Sequence, residues 1–464
     1  MRRALAARRQ ERSRRVGSPC RRAAFRERGG GRTRSRCTLP RGQSRAPRLP
    51  LAAGAPGHRQ RRRAVGAPRL AAAPRRVAGG VHCRRGPGLS AGSGPAADTA
   101  GLGIYLHVPF CRTKCRYCDF YRVGENRLKI DLFLAALHRE IDGWTALHGR
   151  RVETIFLGGG TPSLLSGPEI GAVLRHLDGV FAVEAGAEVT AEANPSDLDP
   201  PALAALRAAG VNRLSIGVQS FSDRELALVG RRHDAARAEQ VVREARQAGF
   251  ENLSIDLMLA IPGQTEAGFR RSLDKAIALE TDHLSLYLLE VHESSEMDFL
   301  RRERPRLFPG EEAERRRYLA MHDRLVAAGY EHYEISNFAR PGRQGRHNLR
   351  YWHLEPWLGL GPAAHSFVDG RRFQHPADLG AWLADPLGTA PLEHDLAQER
   401  AMLGLRLDEG IGIDTLRAAS GATDAELAAR LRRLDRFVVE AGGKVRLTTE
   451  GRVVSNPVLT ELFF

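Results

Sequence analysis

His107-Val-Pro-Phe-Cys111-Arg-Thr-Lys-Cys115-Arg-Tyr117-Cys118-Asp-Phe120 packs three of the six cysteines of this 464-residue chain into eight positions, and no cysteine follows it. Cys20, Cys37 and Cys83 are scattered through the first hundred residues and read as incidental. Three thiols on one short segment, with no partner downstream, do not make a disulfide framework. They suit a soft metal centre. A structural zinc site needs four ligands, and the nearby His107 falls on an apolar run that reads as a strand. An iron–sulfur cubane held by three thiolates, with one iron open to a small ligand, fits the spacing better, and zinc stands as the alternative.

Upstream of that segment the composition changes. Residues 1–100 hold 26 Arg, no Lys and three acids (Glu11, Glu27, Asp98), a net of +23; the other 364 residues hold 45 basic and 51 acidic side chains, a net of −6. The chain's overall +17 therefore belongs to a tail, and it does not by itself argue for a nucleic-acid partner. Residues 1–98 have too little apolar content to offset the entropy of ordering, and are expected to be disordered. A basic arm and an Arg-rich transit peptide are alternatives to the reading preferred here, a translated upstream region with the start near residue 98. No run of 18 apolar residues is present, so no membrane span is expected.

Downstream, short β-type runs alternate with longer helical ones. Strands are predicted at Ile104–Val108, Thr154–Leu157, Glu188–Glu192, Arg213–Val218, Leu253–Leu257 and His283–Glu290. Helices are predicted at Arg127–Leu147, Gly167–Leu177, Pro200–Ala209, 223–229, 235–248, Thr265–Glu280 and Glu311–Ala328. In the first helix Leu128, Leu132, Leu137, Ile141 and Trp144 form the expected buried stripe. Pro200 and Gly210 bracket the third. Six β–α units imply a parallel sheet covered by helices, with functional groups at the carboxyl ends of the strands. Periodicity alone does not separate a barrel from an open sheet. Past residue 330 the alternation fades. Gln398–Arg406, Thr415–Ala418 and Asp424–Phe437 read as helices and Lys444–Thr448 as a strand, a small winged-helix-like unit. Arg430, Arg432, Arg433 and Arg436 are interleaved with Leu431, Leu434 and Phe437 and do not form a basic recognition face, so no nucleic acid is expected.

Several polar positions interrupt the apolar strands. Gly158-Gly159-Gly160-Thr161-Pro162 follows the second strand; it is either a tight turn or a backbone surface for a ligand. Glu192, Gln219 and Asp256 end the third, fourth and fifth strands. Taken singly, each is as well explained by a bond to a neighbouring loop, but their repetition favours one shared ligand.

The C-x3-C-x2-C run, with Tyr117 before its last cysteine, resembles the signature of the radical S-adenosylmethionine (SAM) superfamily. That resemblance implies a [4Fe-4S] cluster on Cys111, Cys115 and Cys118 whose open iron chelates SAM and whose electron cleaves the sulfonium to methionine and a 5′-deoxyadenosyl radical. It implies an α/β fold: a partial (β/α)6 barrel over 99–330, an extension over 331–394 and a small helical accessory domain over 395–464. SAM contacts are implied at Tyr105, Tyr117, Gly159, Gly160, Thr161, Glu192, Gln219, Arg231 and Asp256, the pattern of the anaerobic coproporphyrinogen-oxidase-like branch. The neighbouring Arg232 reads as a solvated charge. Dehydrogenases of that branch carry a cysteine two residues after the third cluster cysteine; here it is Phe120, as in the branch's haem chaperones. His347-Asn348-Leu-Arg-Tyr351-Trp352 matches the H-N-x-x-Y-W motif of those chaperones and implies a haem contact. Alternatively His347 and Asn348 fasten a loop while Tyr351 and Trp352 fill the core. His365 is an equal rival as haem ligand or as a structural cap. The expectation is a cytoplasmic haem carrier that hands haem to an acceptor protein, with an oxygen-independent coproporphyrinogen III dehydrogenase as the alternative. One departure stands out: where the family carries glycine after the fifth strand, this chain has Ala260-Ile-Pro-Gly-Gln264. The methyl is costly only if position 260 needs a positive φ.

Overall fold

A computed structural model describes residues 101–463 apart from 294. The Arg-rich stretch 1–98, with Cys20, Cys37, Cys83 and the expected start near 98, lies outside the described residues.

Six strands, β1 (Leu102–Val108), β2 (Arg151–Gly159), β3 (Ala182–Ala193), β4 (Arg213–Gln219), β5 (Asn252–Leu259) and β6 (His283–Leu288), pair side by side, in chain order and all parallel. Their near-continuous apolar runs suit a sheet buried on both faces: in β1 every residue but Tyr105 is buried, and all of β4 is. Between the strands run helices whose starts are set by side-chain caps. Asn126 caps Arg127–Gly143, Ser166 and Glu169 form a reciprocal capping box on Gly167–Val180, and Asp234 and Thr265 cap the helices at 235 and 266. The helix Pro200–Ala209 begins and ends as predicted, with Gly210 in the left-handed conformation at its end.

The first helix keeps Leu137, Ile141 and Trp144 of the expected stripe and corrects its other two members. Leu128 and Leu132 are 67% and 49% exposed, while Ile130, Phe133, Ala136, Leu137, Glu140 and Ile141 face the core. Apolar spacing at i, i+4 describes two faces of this helix, and the sheet chose the one carrying Phe133.

The chain after residue 330 adds to both edges of the sheet. Asn337–Ala339 pairs antiparallel with β6, and Glu331–His332 lies beyond it. At the other edge β7 (Trp357–Leu360) pairs parallel with β1, followed by an antiparallel meander of His365–Val368, Arg371–Gln374 and Ala390–Leu392. The twelve-stranded order ends at Glu331–His332 and Ala390–Leu392, so the sheet stays open. The carboxyl ends of all seven parallel strands share one rim.

Residues 396–463 form a separate apolar core around Leu405, Leu416, Leu427, Val445, Leu459 and Leu462. Helices Leu396–Gly404, Ile413–Ser420 and Asp424–Arg433 precede a hairpin of Val438–Ala441 with Lys444–Leu447, to which Ile411–Gly412 adds a third strand. Arg430, Arg433 and Arg436 are spent internally, on the Leu462 carbonyl, Glu461 and Glu450.

Candidate functional site

The cysteine loop leaves β1 at the rim. Its base is closed by the pairing of Phe110–Cys111 with Val123–Gly124, and the Glu125 N–H donates to the Cys111 carbonyl at 3.0 Å. Within the loop the Cys118 N–H donates to the Cys115 carbonyl at 3.2 Å, and the Arg116 N–H docks on the Val229 carbonyl at 3.2 Å. All three cysteines are free and half-buried. Thr161 Oγ1 donates to Cys111 Sγ at 3.4 Å, and Arg231 Nη1 to Cys115 Sγ at 3.5 Å. Burial pushes the Cys111 and Cys118 thiols up, so they need a cationic centre to ionise. Among the described residues no His, Asp or Glu joins the thiols in a ready-made set of metal ligands. His107 does not complete a zinc set. Its Nε2 donates to the Tyr121 carbonyl at 3.0 Å and its Nδ1 accepts from the Tyr105 hydroxyl at 3.0 Å. Three free thiols with donors aimed at two of their sulfurs fit a cluster with an open iron, not a closed tetrahedral site.

The glycine loop follows β2. Gly159 has φ +100°, and a Cβ there would lie 2.6 Å from the His107 ring; one on Gly160 would lie 2.7 Å from the Val108 and Phe110 carbonyl oxygens. Neither position accepts a side chain, so a bare backbone surface faces the rim. The Gly159 N–H donates to Glu192 Oε2 at 3.2 Å.

Glu192, Asp256, Gln219 and Arg231 do gather at the strand ends. Burial, then the neighbouring Asp256, pushes the Glu192 carboxyl up to about 8. Burial raises Asp256 as well, against the pull of hydrogen bonds from Ser215 (3.0 Å) and Ser285. Gln219 sits at φ +67°, where the β4–β5 register slips. Arg231 also reaches Asn194 Oδ1 and the Gly217 carbonyl. Tyr117 packs beside the cluster of Val229, Met258, Ile261 and Met297. Two partly buried carboxyls and one guanidinium beside a glycine backbone can hold a small zwitterion bearing positive charge.

Asn194 was not anticipated. Its Nδ2 donates to Thr161 Oγ1 at 3.1 Å while its Oδ1 receives Arg231, which joins the donors of two different cysteines. The signal was its position two residues after Glu192. The buried Arg213 on β4 was missed too; a charge inside an apolar strand was its mark. Arg232 pairs with Asp197 at 3.1 Å, as its solvated reading has it.

The H-N-x-x-Y-W segment forms the helix Arg346–His353. His347 is fully buried; its Nδ1 meets Thr154 Oγ1 and its Nε2 the Tyr351 hydroxyl, each at 2.8 Å, and its N–H donates to Glu188 Oε1 at 3.0 Å. Burial lowers its basicity to about 3. The expectation that His347 ligates haem has no geometric support here, because neither ring nitrogen keeps a lone pair for iron. The loop-fastening alternative describes these distances. Tyr351 meets Trp357 edge-on with ring centroids 4.7 Å apart, and Trp352 lies under the Arg406 guanidinium. Asn348 is partly buried. Phe120 is 65% exposed. Ala260 has φ +65°, so the departure from glycine is the costly case.

The profile of the radical SAM superfamily matches residues 105–276, and that of the HemN C-terminal domain matches 393–454. The heme chaperone HemW of Mycobacterium tuberculosis is 36% identical over 374 residues, covering 78% of this chain and 94% of that protein. The heme chaperone HemW of Bacillus subtilis is 34% identical, covering 76% and 97%. Among solved structures, the radical SAM enzyme coproporphyrinogen III oxidase (HemN) of Escherichia coli superposes with a TM-score of 0.68 at 24% identity, over 78% of this chain and 90% of that one, a likeness of fold.

Proposed function

The chain belongs to the HemW family of radical SAM proteins, and on that premise we propose that it is a haem chaperone, binding haem, a [4Fe-4S] cluster and SAM and delivering haem to an acceptor protein. The observation that carries this reading is the gathering of three free thiols, their donors Thr161 and Arg231, and the polar ends of β3, β4 and β5 on one rim. Cys111, Cys115 and Cys118 hold the cluster. Gly159, Gly160 and Thr161 present backbone to the methionyl part of SAM, while Tyr105, Tyr117, Glu192, Gln219, Arg231 and Asp256 surround the rest. When bound, the cluster and SAM supply one-electron chemistry; the chain's own residues bind, orient and exclude water. Phe120, standing where a dehydrogenase would carry a further cysteine, favours the carrier over the decarboxylating enzyme. No helix among the described residues is long and apolar enough to cross a membrane, and the reading places the protein in the cytoplasm.

Anaerobic reconstitution tests this. Iron, acid-labile sulfide, haem absorbance and 5′-deoxyadenosine are compared between the wild type and Cys115→Ala. Bound haem without turnover of coproporphyrinogen is the expected result; decarboxylation of that substrate with SAM and reductant would reverse the assignment.

A further inference from the structure

The imidazoles around the rim differ in their partners; the buried His233 bonds the Val218 carbonyl through Nε2 at 3.0 Å, and its enclosed Nδ1 has no partner among the described residues. His107 and His347 have both ring nitrogens bonded. His375 donates from Nδ1 to the Gly388 carbonyl at 3.2 Å, and its buried Nε2 faces Glu140 Oε1 at 2.7 Å. His365 differs. Its carbonyl is taken by Trp357 Nε1 at 2.9 Å, but its exposed ring has no hydrogen-bond partner among the described residues. His365 lines a cavity of about 410 Å³ together with Gln374, His375, Pro376, Ala381 and Asp385. That volume is within the roughly 300–1,000 Å³ usual for small-molecule sites.

From this we infer that His365 is the axial ligand through which the chain holds haem, with the porphyrin edge seated against the wall of Pro376 and Ala381. The inference rests on the haem-carrier reading and assigns its ligand. A neutral imidazole offers iron a lone pair. Asp385 on the wall would disfavour the haem carboxylates on its side of the cavity. The Leu379 N–H donates to the Tyr121 hydroxyl at 2.6 Å, which puts the helix that carries Ala381 beside the end of the cysteine loop.

Hemin titration of the cluster-loaded protein tests this through the Soret band and the electron paramagnetic resonance of the iron. His365→Gly should weaken hemin binding about tenfold or more, abolish the histidine-ligated spectrum and regain it with added imidazole. Ala381→Trp should weaken hemin binding while iron and sulfide content stay at wild-type levels, since the substitution fills the cavity from an exposed helix position. A His365→Gly protein with the wild-type spectrum and affinity would overturn the assignment and leave the carrier reading standing. A wild type that binds no hemin would overturn the carrier reading itself.

Discussion

The Arg231 guanidinium lies 3.5 Å from the Cys115 sulfur. Its other nitrogen is held by Asn194 and the Gly217 carbonyl, so its direction is set from two sides. A fixed positive charge beside one thiolate stabilises the reduced, more negative cluster. Arg231→Gln should lower the cluster's midpoint potential and weaken its retention about 10–100-fold, the usual cost of losing such a partner. Asn194→Ala should shift the potential the same way by less. Potentiometric titration followed by electron paramagnetic resonance reads both; unchanged potentials would show that neither group acts on the sulfurs.

Glu192 links the rim to stability. Its carboxyl titrates near 8 in the fold against an ordinary value of 4.5. Between those values the folded chain keeps a proton that the unfolded chain has released. Stability is therefore greatest below about pH 4.5 as far as this group is concerned, and is lost as pH rises through about 8. Without SAM, Glu192→Gln should remove that slope and raise the urea midpoint most at pH 8 and above. A variant as pH-sensitive as the wild type would place the proton elsewhere.

Ala260 carries φ +65° with its N–H held by Gln264 Oε1 at 3.0 Å. A left-handed non-glycine residue costs ~1–2 kcal/mol, part of which glycine returns as unfolded-chain entropy. Ala260→Gly should stabilise the protein by about 0.5–1 kcal/mol in denaturant unfolding. A loss of stability would mean that the methyl's packing outweighs the strain.

His347→Ala should cost about 2–4 kcal/mol, because it strands the hydroxyls of Thr154 and Tyr351 and removes a ring stacked on Phe156 with centroids 5.4 Å apart. Unfolding curves of the cluster-free protein check this. A neutral result would return His347 to the list of groups free to bind a ligand.

Much of the site was legible because its signals are local. Cys111, Cys115 and Cys118 share a loop, and Glu192, Gln219 and Asp256 each end an apolar run, so spacing alone brings them to one rim once the strands are parallel. The face of the first helix was legible only in part: Leu137, Ile141 and Trp144 are buried as expected, while Leu128 and Leu132 have the right spacing and the wrong side. Nor was the edge of the sheet, where β7 pairs with β1 across some 250 residues and leaves no periodic trace.

The amino-acid order by itself determined the thiol trio, the β–α alternation and the polar strand ends, all of which depend on neighbours a few positions apart. Which histidine keeps a free nitrogen was decided only in the folded chain. Thr154 for His347, Gly388 for His375 and Tyr121 for His107 arrive from other strands or loops, and each takes up a nitrogen that the sequence had left open. A hydrogen bond depends on distance in space, and the tertiary packing alone sets that distance.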